Sequence, residues 1–336
     1  MLVEIIKKIA EETQEDRQPY KHRPSAACKC IRQQVYHAMK IEPKRLAGRA
    51  LLVFDDSTWH EELTADWLRK SSYQIHSQQL RVEIFDVNGY KVSGSIDGII
   101  TDILGKDYLW EHKALSMFGF EKIEKSPTDA HEYYMQCALY LFGLRKINPD
   151  IKEAILHIKN KNTANYLEYL VELTKSDVCN VYTLSGTNRD QLVYTIVQPI
   201  VDAMEKFLAI DKCLETGEIP GRPYLHDDWH CSYCGWNELC WQGYQEEVEN
   251  APQGVDLSSY IPQGTIDEYM QVKSIKSESE KKEKELKKQI KELMEVKNYK
   301  SGYVGSVAIN REFRDVKGFT VAPRTDEILT IKYRRE

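Results

Sequence analysis

Nothing in this chain of 336 residues approaches the roughly 18 consecutive apolar residues of a membrane-spanning helix, so an integral helical membrane protein is excluded. Met1 to Glu15 mixes acids with apolar residues and lacks the layout of a signal peptide. The expectation is a cytoplasmic protein. An excess of basic charge is missing as well: the formal net charge is −6. A whole-surface footprint for nucleic acid is therefore excluded, and any such contact must come from a local basic patch. No internal repeat is visible.

What the chain does have is a hydrophobic content of 42%, enough for one sizeable core and an appendage. It also has eight cysteines. In a cytoplasmic protein these read as ligands and core fillers rather than disulfides. Cys137, Cys179 and Cys213 fall within expected helices or strands and read as small buried hydrophobes. Cys231, Cys234 and Cys240 form a Cys-x2-Cys-x5-Cys cluster on a tight loop and helical turn. Cys30, or its neighbour Cys28, stands about two hundred residues upstream as a fourth thiol. Soft thiolates in such a set suit zinc or an iron–sulfur cluster.

The periodicity gives the order of elements. A short helix and polar linker occupy residues 1 to about 23. His22-Arg23-Pro24-Ser25 opens a helical segment to about Met39. A second helix is expected to follow the capping pair Asp56-Ser57, with Trp59, Leu63 and Trp67 at i, i+4 and i+8. From about Gln79 to Lys113 the period changes to two. Asn88-Gly89 and Gly105-Lys106-Asp107 mark turns, giving a three-stranded meander. Ser126-Pro127-Thr128 starts a helix through Leu144. Ile151–Asn160 and Asn180–Leu184 read as strands, and Leu192–Leu214 as a long helix. The sum is an α/β domain with a mixed central sheet flanked by helices.

The expected domain limits are 1–248 for the main domain, 249–265 for a linker, 266–298 for a charged helix and 299–336 for a small β appendage. The linker runs from Pro252-Gln253-Gly254 to Pro262-Gln263-Gly264. The charged helix carries Glu278–Lys282, Glu280–Lys284 and Glu283–Lys287 in the favourable order. The appendage reads as strands at Gly302–Ile309 and Ile328–Tyr333. Arg311, Arg314, Lys317, Arg324, Lys332, Arg334 and Arg335 surround them.

The chemistry concentrates between these landmarks. Gly94-Ser95-Ile96-Asp97-Gly98 ends one strand, and Trp110-Glu111-His112-Lys113 lies in the next. A hairpin of this length can set Asp97 beside Glu111, two hard oxygen donors for a divalent cation. Lys113 lies two residues from Glu111, so both side chains leave the same face of the strand. An ammonium there can orient a metal-bound water and stabilise charge developing on a phosphate. His60, on the preceding helix, is a candidate nitrogen ligand. Gln136 and Tyr140 lie one helical turn apart and share a face with Tyr133. Tyr133, Tyr134 and Trp110 are candidate surfaces for base stacking, with core packing as their alternative.

In these residues the chain resembles the RecB-like PD-(D/E)XK nucleases that carry an iron–sulfur cluster, among them the CRISPR-associated RecB-like nuclease and the AddB nuclease domain. The matching pieces, in order, are His22-Arg23-Pro24-Ser25 with Cys30 to Tyr36, His60-Glu61, Gly94 to Gly98, Glu111-His112-Lys113, Gln136-x3-Tyr140 and the cysteine triplet. They span about residues 20 to 245. The family often has proline after its first cysteine, where this chain has Ile31.

The resemblance implies a restriction-endonuclease-like fold. His60, Asp97, Glu111 and the His112 carbonyl become ligands of Mg2+ or Mn2+. Asp97, Glu111 and Lys113 become the catalytic set, and Gln136 and Tyr140 a DNA-proximal motif. Cys30, Cys231, Cys234 and Cys240 become ligands of a structural [4Fe–4S] cluster, with Cys30 favoured over Cys28 because Arg32 follows at the family's spacing. The implied activity is hydrolysis of DNA at ends or in single strands, leaving a 5′ phosphate. The tail from Ile266 onward faintly resembles those of phage recombination nucleases. That would give a phage-encoded exonuclease in the host cytoplasm, paired with a single-strand annealing protein and open to self-association. The competing class is a catalytically inactive DNA-binding or assembly subunit of a recombination or CRISPR-adaptation complex.

Overall fold

The computed structural model of the chain describes residues 2–15, 18–185, 188–252, 261–304 and 307–310. The chain divides into two compact units, Met1–Tyr244 and Gln245–Glu336. The first opens with α1 (Leu2–Glu12), α2 (Ile31–Ala38) and α3 (Gly48–Arg69). Strands β1 (Gln74–His76), β2 (Arg81–Val87), β3 (Tyr90–Ser95), β4 (Gly98–Thr101) and β5 (Asp107–Leu115) follow. Helices α4 (Met117–Lys125) and α5 (His131–Leu144) lead to β6 (Glu153–Asn160), β7 (Tyr166–Leu173), β8 (Val178–Ser185) and β9 (Asn188–Val197). The unit closes through α6 (Pro199–Thr216) and two single turns, α7 (Trp229–Ser232) and α8 (Asn237–Cys240).

Seven strands form one mixed sheet in the order β1-β4-β5-β6-β7-β8-β9. Only β5 and β6 pair in parallel, and they are the pair joined through α4 and α5. A parallel pair requires such a crossover, whereas its antiparallel neighbours need only turns. β2 and β3 make a separate two-stranded hairpin. This corrects the expected three-stranded meander: the chain leaves the hairpin at buried Ile96 and enters the main sheet at Gly98. Asp97 sits at that transition.

One sheet face is closed by α5, whose Tyr134, Cys137, Ala138, Leu139 and Leu141 are fully buried. At Gly143 the helix comes so close to β2 that a Cβ would stand 2.6 Å from Val82 Cγ1 and 2.8 Å from the Glu83 carbonyl oxygen. Cys137 and Cys179 are buried and Cys213 packs against the same core, in line with their reading as small apolar residues. The opposite face receives α3, with Ala65 packed against Ile100 and Trp110.

Several local expectations give way to tertiary structure. α3 begins eight residues before Asp56, so Asp56-Ser57 is not a cap, and Ser57 Oγ donates to the Val53 carbonyl within the helix at 3.2 Å. Trp59, Leu63 and Trp67 face solvent, and it is Thr64 and Ala65 that are buried. Residues 192–197 belong to strand β9 rather than to the long helix. The β-branched and aromatic run Leu-Val-Tyr-Thr-Ile-Val pairs with β8. The helix starts only after Gln198, which takes φ 57°, with Pro199 in its first turn. Strand β7 and helix α4 had no expectation.

In the second unit, α9 (Tyr244–Glu249) straddles the division, and α10 (Gln263–Val296) is a single helix with no buried residue. Of its anticipated pairs, Glu283–Lys287 closes at 2.5 Å, while Glu280 pairs with Lys276 at 3.9 Å. β10 (Ser301–Val304) and β11 (Val307–Asn310) form an antiparallel hairpin within the first expected appendage strand. The second, Ile328–Tyr333, and the seven basic residues around it lie outside the described residues, as do residues 253–260 of the expected linker. Among the described residues no helix is long and apolar enough to cross a membrane.

Candidate active site

The register of β4 against β5 ends at Gly98–Trp110. Beyond it β5 has no neighbour on that side, and its next free amide would lack a partner. The His112 N–H instead donates to Asp97 Oδ2 at 2.8 Å. One carboxylate therefore takes the place of a strand. From the same stretch of β5, Glu111 and Lys113 project to the α5 side, and Lys113 Nζ donates to Glu111 Oε1. Gln136 Nε2 donates to that oxygen as well, at 2.8 Å. Tyr140 OH donates to the Ser95 carbonyl at 2.8 Å and lies against Gly94, where a Cβ would stand 2.6 Å from the hydroxyl oxygen. Gln136 and Tyr140 thus brace the site from inside, at 9% and 3% exposure. Trp110 and Tyr134 are fully buried, so their rings serve the core and are closed to stacking with a base.

The electrostatics are those of crowded carboxylates. Burial, and then the charge of Asp97, pushes the Glu111 carboxyl up to about 8. Burial raises Asp97 too, against the pull of Lys113. Burial alone would lower Lys113, but Glu111 and Asp97 together outweigh it and hold the ammonium above the ordinary lysine range. The Lys113 ammonium also lies 5.7 Å from the centre of the Tyr133 ring. Glu111 Oε2 is buried with no hydrogen-bond partner. An orphaned carboxylate oxygen in a negatively charged pocket fits a cation.

The α3 residue that joins this cluster is Glu61, which the sequence marked only as part of a motif. It lies one helical turn before buried Ala65, on the side of α3 that meets the sheet. Burial and then the charge of Asp97, against the pull of Lys113, raise its carboxyl to about 7. The helical phase of Glu61, Ala65 and Leu68 was the available signal.

His60 has different company. Thr64 Oγ1 donates to its carbonyl, its Nδ1 is buried without a partner, and burial with Lys159 and Lys161 lowers its pKa. The His112 ring turns to the α3 face, where Nε2 lies 3.1 Å from Thr64 Oγ1. Among the described residues no three His, Cys, Asp or Glu side chains form a closed metal cage. Two carboxylates suffice for Mg2+, which keeps most of its ligands as water and substrate oxygens.

The second constellation is the cysteine loop. Cys28, Cys30, Cys231, Cys234 and Cys240 all line one cavity of ≈ 790 Å³. Burial is the main influence raising the thiols of Cys30, Cys231 and Cys234. The latter two also feel Cys30 and Cys240; Cys28 is likewise raised chiefly by burial, to about 11, with Lys206 pulling it down and Glu132 and Asp202 pushing it up. The loop is stitched down by protein contacts: Lys44 N–H to the Gly235 carbonyl at 2.7 Å, and Trp236 Nε1 to the Ile41 carbonyl at 2.8 Å.

A carboxylate pair and a lysine thus meet beside β5 where β4 ends, and the class of protein comes from the family comparison. The model of the PD-(D/E)XK nuclease superfamily matches residues 4–241. The chain belongs to that superfamily, whose members are metal-dependent nucleases typically using Mg2+ or Mn2+ and acting on DNA. No curated protein matches. A solved structure described as the crystal structure of SSO0001 is similar over 71% of this chain and 95% of that one, at 18% identity and a TM-score of 0.41.

Proposed function

We propose that the protein is a metal-dependent deoxyribonuclease of the RecB-like kind, hydrolysing phosphodiesters at DNA ends or in single strands. One observation carries the reading: Asp97, Glu111 and Lys113 converge where β5 loses its neighbour, with Glu111 Oε2 buried and unpartnered. Asp97 and Glu111 would hold Mg2+ or Mn2+, which when bound polarises a water and neutralises phosphate charge. The remaining work belongs to the chain. The His112 N–H fixes Asp97 through Oδ2, leaving Oδ1 for the site. Gln136 fixes Glu111 through Oε1, leaving Oε2. Lys113 keeps a permanent ammonium facing the reacting phosphate. Glu61, with its carboxyl near 7, can hold or give up a proton at working pH. His60 remains a candidate ligand on the family resemblance alone.

We further propose that Cys30, Cys231, Cys234 and Cys240 hold a [4Fe–4S] cluster that fastens the N-terminal segment to the end of the nuclease unit. Four thiols on one cavity support this, and their donor chemistry fits. Single-strand preference is supported by exposed Trp229 and Tyr233 beside Arg32, Lys161 and Arg222 on the same cavity. The phage recombination setting rests on the sequence of the tail.

Two measurements test these readings separately. Asp97→Ala and Glu111→Ala should each abolish DNA cleavage and weaken Mn2+ binding by calorimetry while leaving the circular dichroism spectrum unchanged. Cleavage at the wild-type rate by either variant would remove that residue from the site. Anaerobically purified protein should carry about four irons and absorb near the violet–blue boundary, and Cys234→Ala should lose colour and stability together. Colourless protein with one zinc would replace the cluster by a Zn2+ site.

A further inference from the structure

Helix α3 has two faces, and the nuclease site uses only one. Glu61, Thr64 and Ala65 turn to the sheet. On the far side Trp59, Leu63 and Trp67 are 73%, 47% and 63% exposed, a continuous apolar stripe at i, i+4 and i+8. Two tryptophans held this far in water need an explanation, because clustered rather than scattered exposed apolar residues mark an interaction surface.

The charges around the stripe say what covers it. Asp56 lies on the same side, seven residues before Leu63, and Lys70 lies seven residues after it. Both are exposed. The intervening acids Glu62 and Asp66 are already tied to Arg69 within the chain, at 3.0 and 2.5 Å. A two-fold axis through Leu63 therefore maps the stripe onto itself. In an antiparallel pair of α3 helices, Leu63 meets Leu63, Trp59 meets Trp67 of the other copy, and Asp56 meets its Lys70. Each contact occurs twice, as an isologous interface demands. DNA would face the acids of this helix and is disfavoured. The pair brings four tryptophans together. At the roughly 150–250 Å² that an aromatic ring buries, they supply a large part of the roughly 1,200 Å² of the smallest specific interfaces.

We infer that the protein forms a two-fold dimer through antiparallel packing of the outer face of α3, with Leu63 on the axis and Asp56 paired to Lys70 of the second copy. The nuclease site lies across the helix from this interface and stays open to substrate.

Sedimentation equilibrium of the full chain, with its metal and cluster content checked, tests the inference. Wild type should be dimeric at micromolar concentration. Leu63→Glu should raise the dissociation constant at least ~10-fold, with an unchanged circular dichroism spectrum because the position is solvent-exposed. Asp56→Lys should weaken the dimer. Adding Lys70→Asp should restore it, an outcome that general surface damage would not produce. A wild type that stays monomeric up to about 100 µM overturns the proposal. So does a dimer indifferent to Leu63→Glu, or a charge-swapped double variant no better than Asp56→Lys. Because the readout is mass, the result is independent of whether the nuclease reading holds.

Discussion

Asp97, Glu111 and Lys113 crowd one another at the end of β4, and the raised Glu111 carboxyl is the most accessible sign of it. With its carboxyl raised to about 8, Glu111 is protonated at neutral pH in the metal-free protein. A divalent cation must displace that proton, so Mn2+ affinity should rise steadily from about pH 6 to about pH 8.5. Calorimetry in buffers of different ionisation heat would report the proton release, and an affinity flat across this range would contradict the crowded-carboxylate picture. The raised pKa also has a stability sign. Its contribution is fully present below the unfolded carboxylate range and is lost as pH climbs through about 8. Metal-free protein should therefore lose thermal stability progressively as pH rises from about 4.5 to about 8 and level off beyond it, and Mn2+ should restore it. These three residues were legible because strand alternation puts i and i+2 on one face and a turn returns Asp97 to them. Glu61 was not. Its role depends on the phase of α3 against the sheet, and a motif reading drew the eye to His60 beside it.

Packing between elements explains where local signals failed. The Asp56-Ser57 cap was overruled because α3 extends back to Gly48, where it packs against α1 and the Gly48 N–H donates to Glu11 Oε1 at 2.6 Å. β9 was hidden because Leu192–Val197 is apolar on both sides, and only its pairing with β8 decides for strand. The approach of α5 to β2 depends on Gly143, a position that looks neutral in sequence. Gly143→Ala forces a Cβ onto Val82 and the Glu83 carbonyl, and overpacking of this kind costs about 1–3 kcal/mol. A calorimetric melting temperature lowered by several degrees is expected, and one unchanged would mean that α5 can shift freely. Trp236, 1% exposed and bonded to Ile41, fastens the cysteine loop without help from metal. Trp236→Ala should therefore destabilise the loop even in cluster-free protein, read as faster proteolysis near residues 229–241. Equal cleavage rates would show that this stitch is dispensable.

For the whole molecule, a mixed sheet flanked by helices was legible from the order of strands and helices, the restriction-endonuclease-like architecture came through the family resemblance, and the single parallel pair was not legible. The partition of strands between the main sheet and the β2–β3 hairpin was not, since it turns on a few residues around Ile96. Glu153, at the start of the central strand β6, is bracketed by Lys106 and by Arg189 of edge strand β9. Burial alone would raise its pKa, but these two partners lower it. That stabilisation is present above the unfolded glutamate pKa and disappears as pH falls through the lower folded value. Breaking a buried ion pair costs roughly 3–5 kcal/mol, and the partly exposed Lys106 and Arg189 place this one below that range. Glu153→Gln should melt below wild type at pH 7, with the gap closing as the solution is acidified; a constant gap would assign its effect to packing instead. The central claim is that Asp97, Glu111 and Lys113 form a working nuclease site. It is met most directly by incubating end-labelled single- and double-stranded DNA with Mg2+ or Mn2+ and either wild type or Lys113→Ala, purified anaerobically in parallel. The expected result is metal-dependent cleavage by wild type and none by the variant. Cleavage by both at equal rates, or by neither when both are folded and metal-loaded, would contradict it.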